Sequence, residues 1–176
     1  MGLGRDAFYL FFRSRQILKN NYIFRIALSL SYNLRVRYNR LAMREPPGSD
    51  IILLNSQQQV LLVLRDNKTS IPFPNTWALL GGYLEENEPP EVTIRRELLE
   101  EMELELGEIK FFKSYVWEEC DEHIFWTQID LDICNTKLHE GQKLAYFSRE
   151  EIEHLDFASN YHEIIAEFFD SLAKII

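Results

Sequence analysis

Two short apolar runs, Ile51-Ile52-Leu53-Leu54 and Val60-Leu61-Leu62-Val63-Leu64, flank the polar stretch Asn55-Ser56-Gln57-Gln58-Gln59. That pattern predicts a β-hairpin. Residues 66–75 hold Pro72 and Pro74 and read as a loop. Residues 77–80 form another apolar run, which Gly81-Gly82 is expected to end. Pro89 and Pro90 suit the first turn of a helix, where a missing N–H costs nothing. Ile94, Leu98 and Met102, with Leu99 and Val92 in the same arc, predict a helix to about Met102 with that arc on the core. Residues 109–117 and 124–131 read as strands, and 144–147 as a short one. Ile164, Ile165, Phe168, Phe169 and Leu172 share one face of a closing amphipathic helix over 161–176. Strands interleaved with two helices predict an α/β (α+β) sandwich.

Composition narrows the class. The 176 residues are 46% hydrophobic and 13% aromatic, which suits one packed soluble domain and excludes a disordered chain. No run reaches the roughly 18 apolar residues of a membrane span. The two cysteines, Cys120 and Cys134, make no disulfide framework and read as reduced thiols of a cytoplasmic protein.

Charge divides the chain. Residues 1–45 hold nine lysines and arginines against two acids, a net +7, and the remainder carries −16. The stretch Glu45-Pro46-Pro47-Gly48-Ser49 reads as a break between a basic, helical extension over 1–45 and a main domain over 46–176. An acidic body argues against nucleic acid as a partner of that domain and suits a cation-loading site. In the arm, Leu18, Tyr22, Ile26 and Leu30 recur at helical spacing among arginines. That admits packing on its own domain, a membrane-surface helix, or a partner-binding arm.

The candidate chemistry lies on the helix over 91–102. Glu97, Glu100 and Glu101 fall within about 100° of one another, opposite the apolar arc. Carboxylates held that close raise one another's pKa unless a cation sits between them. A hard divalent ion such as Mg²⁺ suits carboxylate oxygens and keeps room for phosphates in its shell. Gly82 precedes Glu88 by six positions, and eight further on stands Arg96-Glu97-Leu98-Leu99-Glu100-Glu101. This set resembles the signature of the Nudix hydrolases. A chance match to its seven positions in a chain this long is roughly one in 10⁵–10⁶. One position departs: where the family has a helix-ending glycine, this chain has Glu103, followed by Leu104. Either Glu103 adopts a strained left-handed conformation, or the helix runs on another turn to Gly107.

The resemblance covers about residues 50–170 and implies a Nudix-type α/β/α sandwich with a mixed sheet. It implies Mg²⁺-dependent hydrolysis of a phosphoanhydride bond in a nucleoside diphosphate derivative, with Mn²⁺ as a substitute. By position, Glu97, Glu100, Glu101 and the carbonyl of Gly81 resemble the metal ligands, and Glu88 and Arg96 the charged pair that fixes the loop against the helix. Glu97 is the favoured general base, with Glu140 its rival. Within the family the chain is most similar to the MutT-type nucleoside triphosphate pyrophosphohydrolases, which remove oxidised purine nucleotides. There His139-Glu140-Gly141-Gln142 matches a segment whose Glu adds a metal carboxylate, and Asn160 matches an Asn placed against the purine edge. Arg65 matches a substrate-contacting Arg. Asp121-Glu122-His123-Ile124 echoes a strand-entry segment of those enzymes. Phe73, Trp77 and Trp126 are candidates for stacking on a base. The alternatives are an ADP-ribose, nucleotide-sugar or dinucleotide pyrophosphatase, or a Nudix-fold sensor that binds a nucleotide without cleaving it.

Overall fold

The computed structural model describes residues 44–118 and 120–175. The expected helical extension over 1–45 lies, save for its last two residues, outside the described residues. The unit Glu45–Ile176 is built on a seven-stranded mixed sheet. Its strands are β1 (Gly48–Leu54), β2 (Val60–Leu64), β3 (Trp77–Ala78), β4 (Leu80–Tyr83), β5 (Lys110–Val116), β6 (Asp121–Gln128) and β7 (Lys143–Phe147). Its helices are α1 (Pro90–Met102), α2 (Arg149–Ile152) and α3 (Tyr161–Ile175). The path runs β3-β2-β1-β6-β5, with β4 paired to β1 and β7 to β2. Only β1 and β6 run parallel among the named strand pairs. Among the described residues, no helix is long and apolar enough to cross a membrane.

Strand alternation sends neighbouring side chains to opposite faces. Ile51, Leu53 and Leu61 join Ile94, Leu98 and Met102 of α1 in one core layer. Ile52, Leu54, Val60 and Leu62 join Ile164, Ile165, Phe168 and Phe169 of α3 in the other. The sheet is therefore buried on both faces, which explains why β1 is solidly apolar after Asp50. The result is the expected sandwich, a helix on either side of a mixed sheet.

Several boundaries differ from the expectation. β1 begins at Gly48, so Gly48 and Ser49 belong to the sheet rather than to a linker. Gly81-Gly82 do not end a strand: they lie inside β4, opposite Asp50 and Ser49. The register with β1 supplies their backbone partners, which local composition does not show. β6 runs from Asp121 to Gln128, three residues earlier than the apolar run, because Asp121 pairs with Val116 of β5 and Glu122 with Gly48 of β1. The short α2 was not foreseen; Ser148 and Glu151 cap it reciprocally. On α1 the buried stripe is narrower than the arc. Ile94, Leu98 and Met102 are buried, whereas Val92 and Leu99 are about half exposed.

Glu103 takes the left-handed conformation, φ 53° and ψ 31°, and α1 stops at Met102 instead of continuing to Gly107. Its N–H donates to the Leu99 carbonyl at 3.0 Å, and the Leu104 N–H to that of Leu98 at 3.1 Å. Leu104 packs against the α1 core layer. These bonds occupy carbonyls that a helix end leaves open, and the Leu104 contact accompanies them as at a glycine-capped helix end.

Leu98 is fully buried between α1 and the sheet. Leu98→Ala should cost about 2–5 kcal/mol of folding stability, read as a fall in the urea midpoint with an unchanged slope.

Candidate active site

The site grows from the contact of α1 with β4. Gly81 has φ +146°, and a Cβ there would stand 2.2 Å from the Ser49 carbonyl oxygen and 2.7 Å from Asp50 Cα. A Cβ on Gly82 would stand 2.4 Å from Glu97 Oε1. Both glycines are therefore needed: one lets β4 pair closely with β1, the other lets Glu97 lie on the strand.

Arg96 holds this arrangement. Its Nε donates to Glu88 Oε1 at 3.1 Å and its Nη2 to Glu88 Oε2 at 2.9 Å, a two-pronged pairing. Nη2 also donates to the Tyr83 carbonyl at 3.2 Å, and Nη1 to Glu97 Oε1 at 2.6 Å. Glu100 Oε2 lies 3.7 Å from Nη1. Glu88 further accepts from Thr93 Oγ1 at 2.8 Å and from the Glu85 N–H at 3.3 Å. The Arg96 guanidinium, helped by the Thr93 hydroxyl, pulls the Glu88 carboxyl down to about 2. Glu88 and Glu97 in turn hold Arg96 firmly in its charged form.

Glu101 lines a cavity with Gly81, Arg65 and Glu140. Burial, and then the charges of Glu140, Glu97 and Glu100, push its carboxyl up to about 8, against the opposing pull of Arg65. The structure thus brings Gly81, Glu97, Glu101, Glu140 and Arg65 together. Glu100 stays at the rim, its side chain 63% exposed. Among the described residues, no three acids, histidines or cysteines converge tightly enough to form a closed cage. The donor set is nevertheless one of hard oxygens, and burial and the like charge around Glu101 push its carboxyl up, which a bound cation would relieve. Those properties fit a divalent cation. Asn160 does not line the cavity. Its carbonyl accepts the first N–H groups of α3, from Glu163 at 3.1 Å and Ile164 at 3.3 Å.

Sequence reasoning missed a second group of acids beside Gly81. Asp50 and Glu122 are buried, 4% and 6% exposed. Tyr161 Oη donates to Asp50 Oδ1 at 3.1 Å and Trp117 Nε1 to Glu122 Oε2 at 3.1 Å. Burial, and then the Glu122 charge, push Asp50 well above the usual carboxylate range. One signal was available: Asp50 shares the inward parity of Ile52 and Leu54, so an acid there faces the core.

The NUDIX domain family profile matches residues 44–168. The chain belongs to the Nudix family. No curated protein sequence matches it. Among solved structures, it is similar to the MutT protein of Methanosarcina mazei Go1, at TM-score 0.57 and 21% identity over 74% of this chain and 96% of that one. The NUDIX domain of Shewanella oneidensis NrtR, solved with ADP ribose, aligns at TM-score 0.60 and 19% identity, over 73% and 88%. A bifunctional NMN adenylyltransferase/ADP ribose pyrophosphatase from Francisella tularensis aligns at 0.55 and 20%, over 79% of this chain and 46% of that one. Such identities carry the fold. The Nudix match makes the chain a phosphoanhydride hydrolase of the nucleotide pyrophosphohydrolase kind, in a family that generally works with divalent metals.

The raised Glu101 pKa sets the sign of a pH dependence. Folded Glu101 keeps a proton that the unfolded chain, at the ordinary value of 4.5, releases. Without metal, folding stability is therefore fullest below that value and falls as pH rises toward about 8. The Glu101 share of the slope is at most about 1.4 kcal/mol per pH unit. Urea titrations in chelator at several pH values should show the fall, and Glu101→Gln should remove that share and leave the part due to Asp50, which is raised in the same direction.

Proposed function

We propose that this Nudix hydrolase converts a nucleoside triphosphate to the monophosphate and pyrophosphate with Mg²⁺, for which Mn²⁺ substitutes, and that oxidised purine nucleotides are among its substrates. The observation that carries the reading is the convergence of Glu101, Glu140, Gly81 and Arg65 on one cavity beside the Arg96–Glu97 pair.

Glu97, Glu100, Glu101, Glu140 and the Gly81 carbonyl would hold the cation, which when bound offsets phosphate charge and polarises the phosphorus under attack. The chain's own groups do the rest. Arg96, clamped by Glu88, anchors one oxygen of Glu97. The second oxygen takes the proton of the attacking water as its oxygen bonds to phosphorus and the bridging P–O bond breaks. Arg65, on the cavity wall, offers a cation to the polyphosphate. Asn160, just ahead of α3, would offer an amide to the base edge.

The cavity holds about 60 Å³. At roughly 10–15 Å³ per water-sized group, it seats about one phosphate, so the rest of the substrate lies over the rim. Of the three stacking candidates, Trp77 packs edge-on against Phe147 at 4.7 Å and Trp126 packs on Phe168 at 5.5 Å. Phe73 is 52% exposed, two residues beyond the cavity-lining Ile71, with φ +51°. Pro72 and Pro74 flank it, Arg65 Nε donates to the Pro72 carbonyl at 3.3 Å, and Thr76 Oγ1 to the Phe73 carbonyl at 2.7 Å. An exposed aromatic on this anchored loop, close in sequence to the cavity, would serve as a stacking platform for the base. The ADP-ribose names of two structural neighbours favour a second reading, hydrolysis of ADP-ribose or a related dinucleotide or nucleotide sugar, which uses the same site.

A panel of ordinary and 8-oxo-purine triphosphates, ADP-ribose, a nucleotide sugar and a diadenosine polyphosphate tests the reading. Turnover of the triphosphates in Mg²⁺, abolished by Glu101→Gln, supports it. Preferred turnover of ADP-ribose moves the assignment to the second reading, and tight nucleotide binding without turnover makes the chain a sensor. Stacking on a base contributes about 1–3 kcal/mol. Phe73→Ala should therefore raise KM for a nucleotide about tenfold with kcat nearly kept, and Phe73→Tyr should restore it.

A further inference from the structure

The one departure from the family pattern has a visible structural consequence. Glu103 stands where that pattern has glycine, and its carboxylate reaches across to the loop that carries Glu140. Lys137 Nζ lies 2.6 Å from Glu103 Oε2, and His139 Nε2 lies 3.0 Å from Oε1. Beside this side-chain bridge, the His139 N–H donates to the Glu101 carbonyl at 2.8 Å. On the other side of Glu140, the Gln142 N–H donates to the Leu64 carbonyl at 2.8 Å, and its Nε2 to the Arg65 carbonyl at 2.7 Å and to Asn75 Oδ1 at 3.1 Å.

The stretch from β6 to β7 contains no strand or helix. Connections of that length need anchors to hold one conformation. Glu140 sits between two anchors, one on β2 and one on the end of α1. The second joins the His139–Glu101 backbone bond to a side-chain bridge that a glycine at position 103 could not supply. We propose that Glu103 is a positioning residue: it ties residues 137–139 to the end of α1 and so places Glu140 opposite Glu101. The backbone strain at Glu103 is tolerated because the same residue orders the site. This rests on the reading of Glu140 as part of the cation site.

The bridge is made of half-exposed side chains, and exposed ion pairs add little to stability. Glycine is also at ease at positive φ. Glu103→Gly therefore separates the two roles: a residue serving the fold alone would show itself in stability, a positioning residue in the site. The test compares wild type, Glu103→Gly, and the double variant Lys137→Met/His139→Gln, which leaves the helix end untouched. Three quantities are read: thermal midpoint, amide hydrogen exchange over residues 137–142, and Mn²⁺ affinity by electron paramagnetic resonance.

The expected result is a thermal midpoint equal to or above that of wild type for Glu103→Gly and close to it for the double variant, with lost protection over 137–142 and Mn²⁺ affinity weakened about tenfold in both. Glu103→Gln, which keeps length and hydrogen-bonding capacity, should recover part of the protection. Unchanged protection and Mn²⁺ affinity in Glu103→Gly overturn the proposal. So does a fall in midpoint that accounts for the whole effect. If wild type binds no Mn²⁺, the cation reading fails, and the exchange data still decide whether Glu103 holds the loop.

Discussion

The site depends on one guanidinium. Arg96 is donor to Glu88, to the Tyr83 carbonyl and to Glu97, and so joins the loop after β4, the end of β4 itself and the face of α1. A planar fork can serve these acceptors at once, which an ammonium could not do. Its side chain is only 22% exposed, so its partners face it across little water. The clamp works because glycines stand beneath it. A Cβ at position 82 would stand 2.4 Å from Glu97 Oε1, so the carboxylate that Arg96 holds would have to shift from its present place.

Around this clamp the acids fall into groups with different fates. Glu88 is compensated and stays charged. Glu101 lies among Glu97, Glu100 and Glu140, with Arg65 as its opposing charge, and a cation bound beside it would displace its proton to solvent. Asp50 and Glu122 lie deeper still and use Tyr161 and Trp117 as partners. Burial and like-charge repulsion raise Glu101 and Asp50, whereas the guanidinium of Arg96 lowers Glu88. The strong negative charge of the main domain is thus partly neutralised where it is buried, and a cation would complete the balance.

Much of the fold could be read from the residues alone. The hairpin of β1 and β2, the start of α1 at Pro90 and the amphipathic face of α3 follow from period and punctuation, because burial on one face forces those patterns. The spacing from Gly82 through Glu88 to Glu101 marked the carboxylates, since a helix places positions three and four apart side by side. Less legible was whatever depended on pairing between distant segments. Gly81-Gly82 looked like a strand end because local composition says glycine breaks strands, whereas the register with Ser49 and Asp50 keeps them inside one. Val92 and Leu99 belong to the apolar arc by angle, yet they stay about half exposed, outside the stripe of Ile94, Leu98 and Met102 that packs on the sheet.

The amino-acid sequence by itself determined the family, the order of the main elements and the identity of the carboxylates on α1, because these rest on local periodicity and on spacing along a single helix. Only the tertiary structure decided which acids share a cavity, that Phe73 rather than Trp77 or Trp126 stays exposed, and that Asp50 and Glu122 are buried together. It also decided that Glu103 ends the helix in a left-handed turn and meets Lys137 and His139. Each of those outcomes depends on through-space distances between residues far apart in the chain, and such distances are set by packing, which no local pattern encodes.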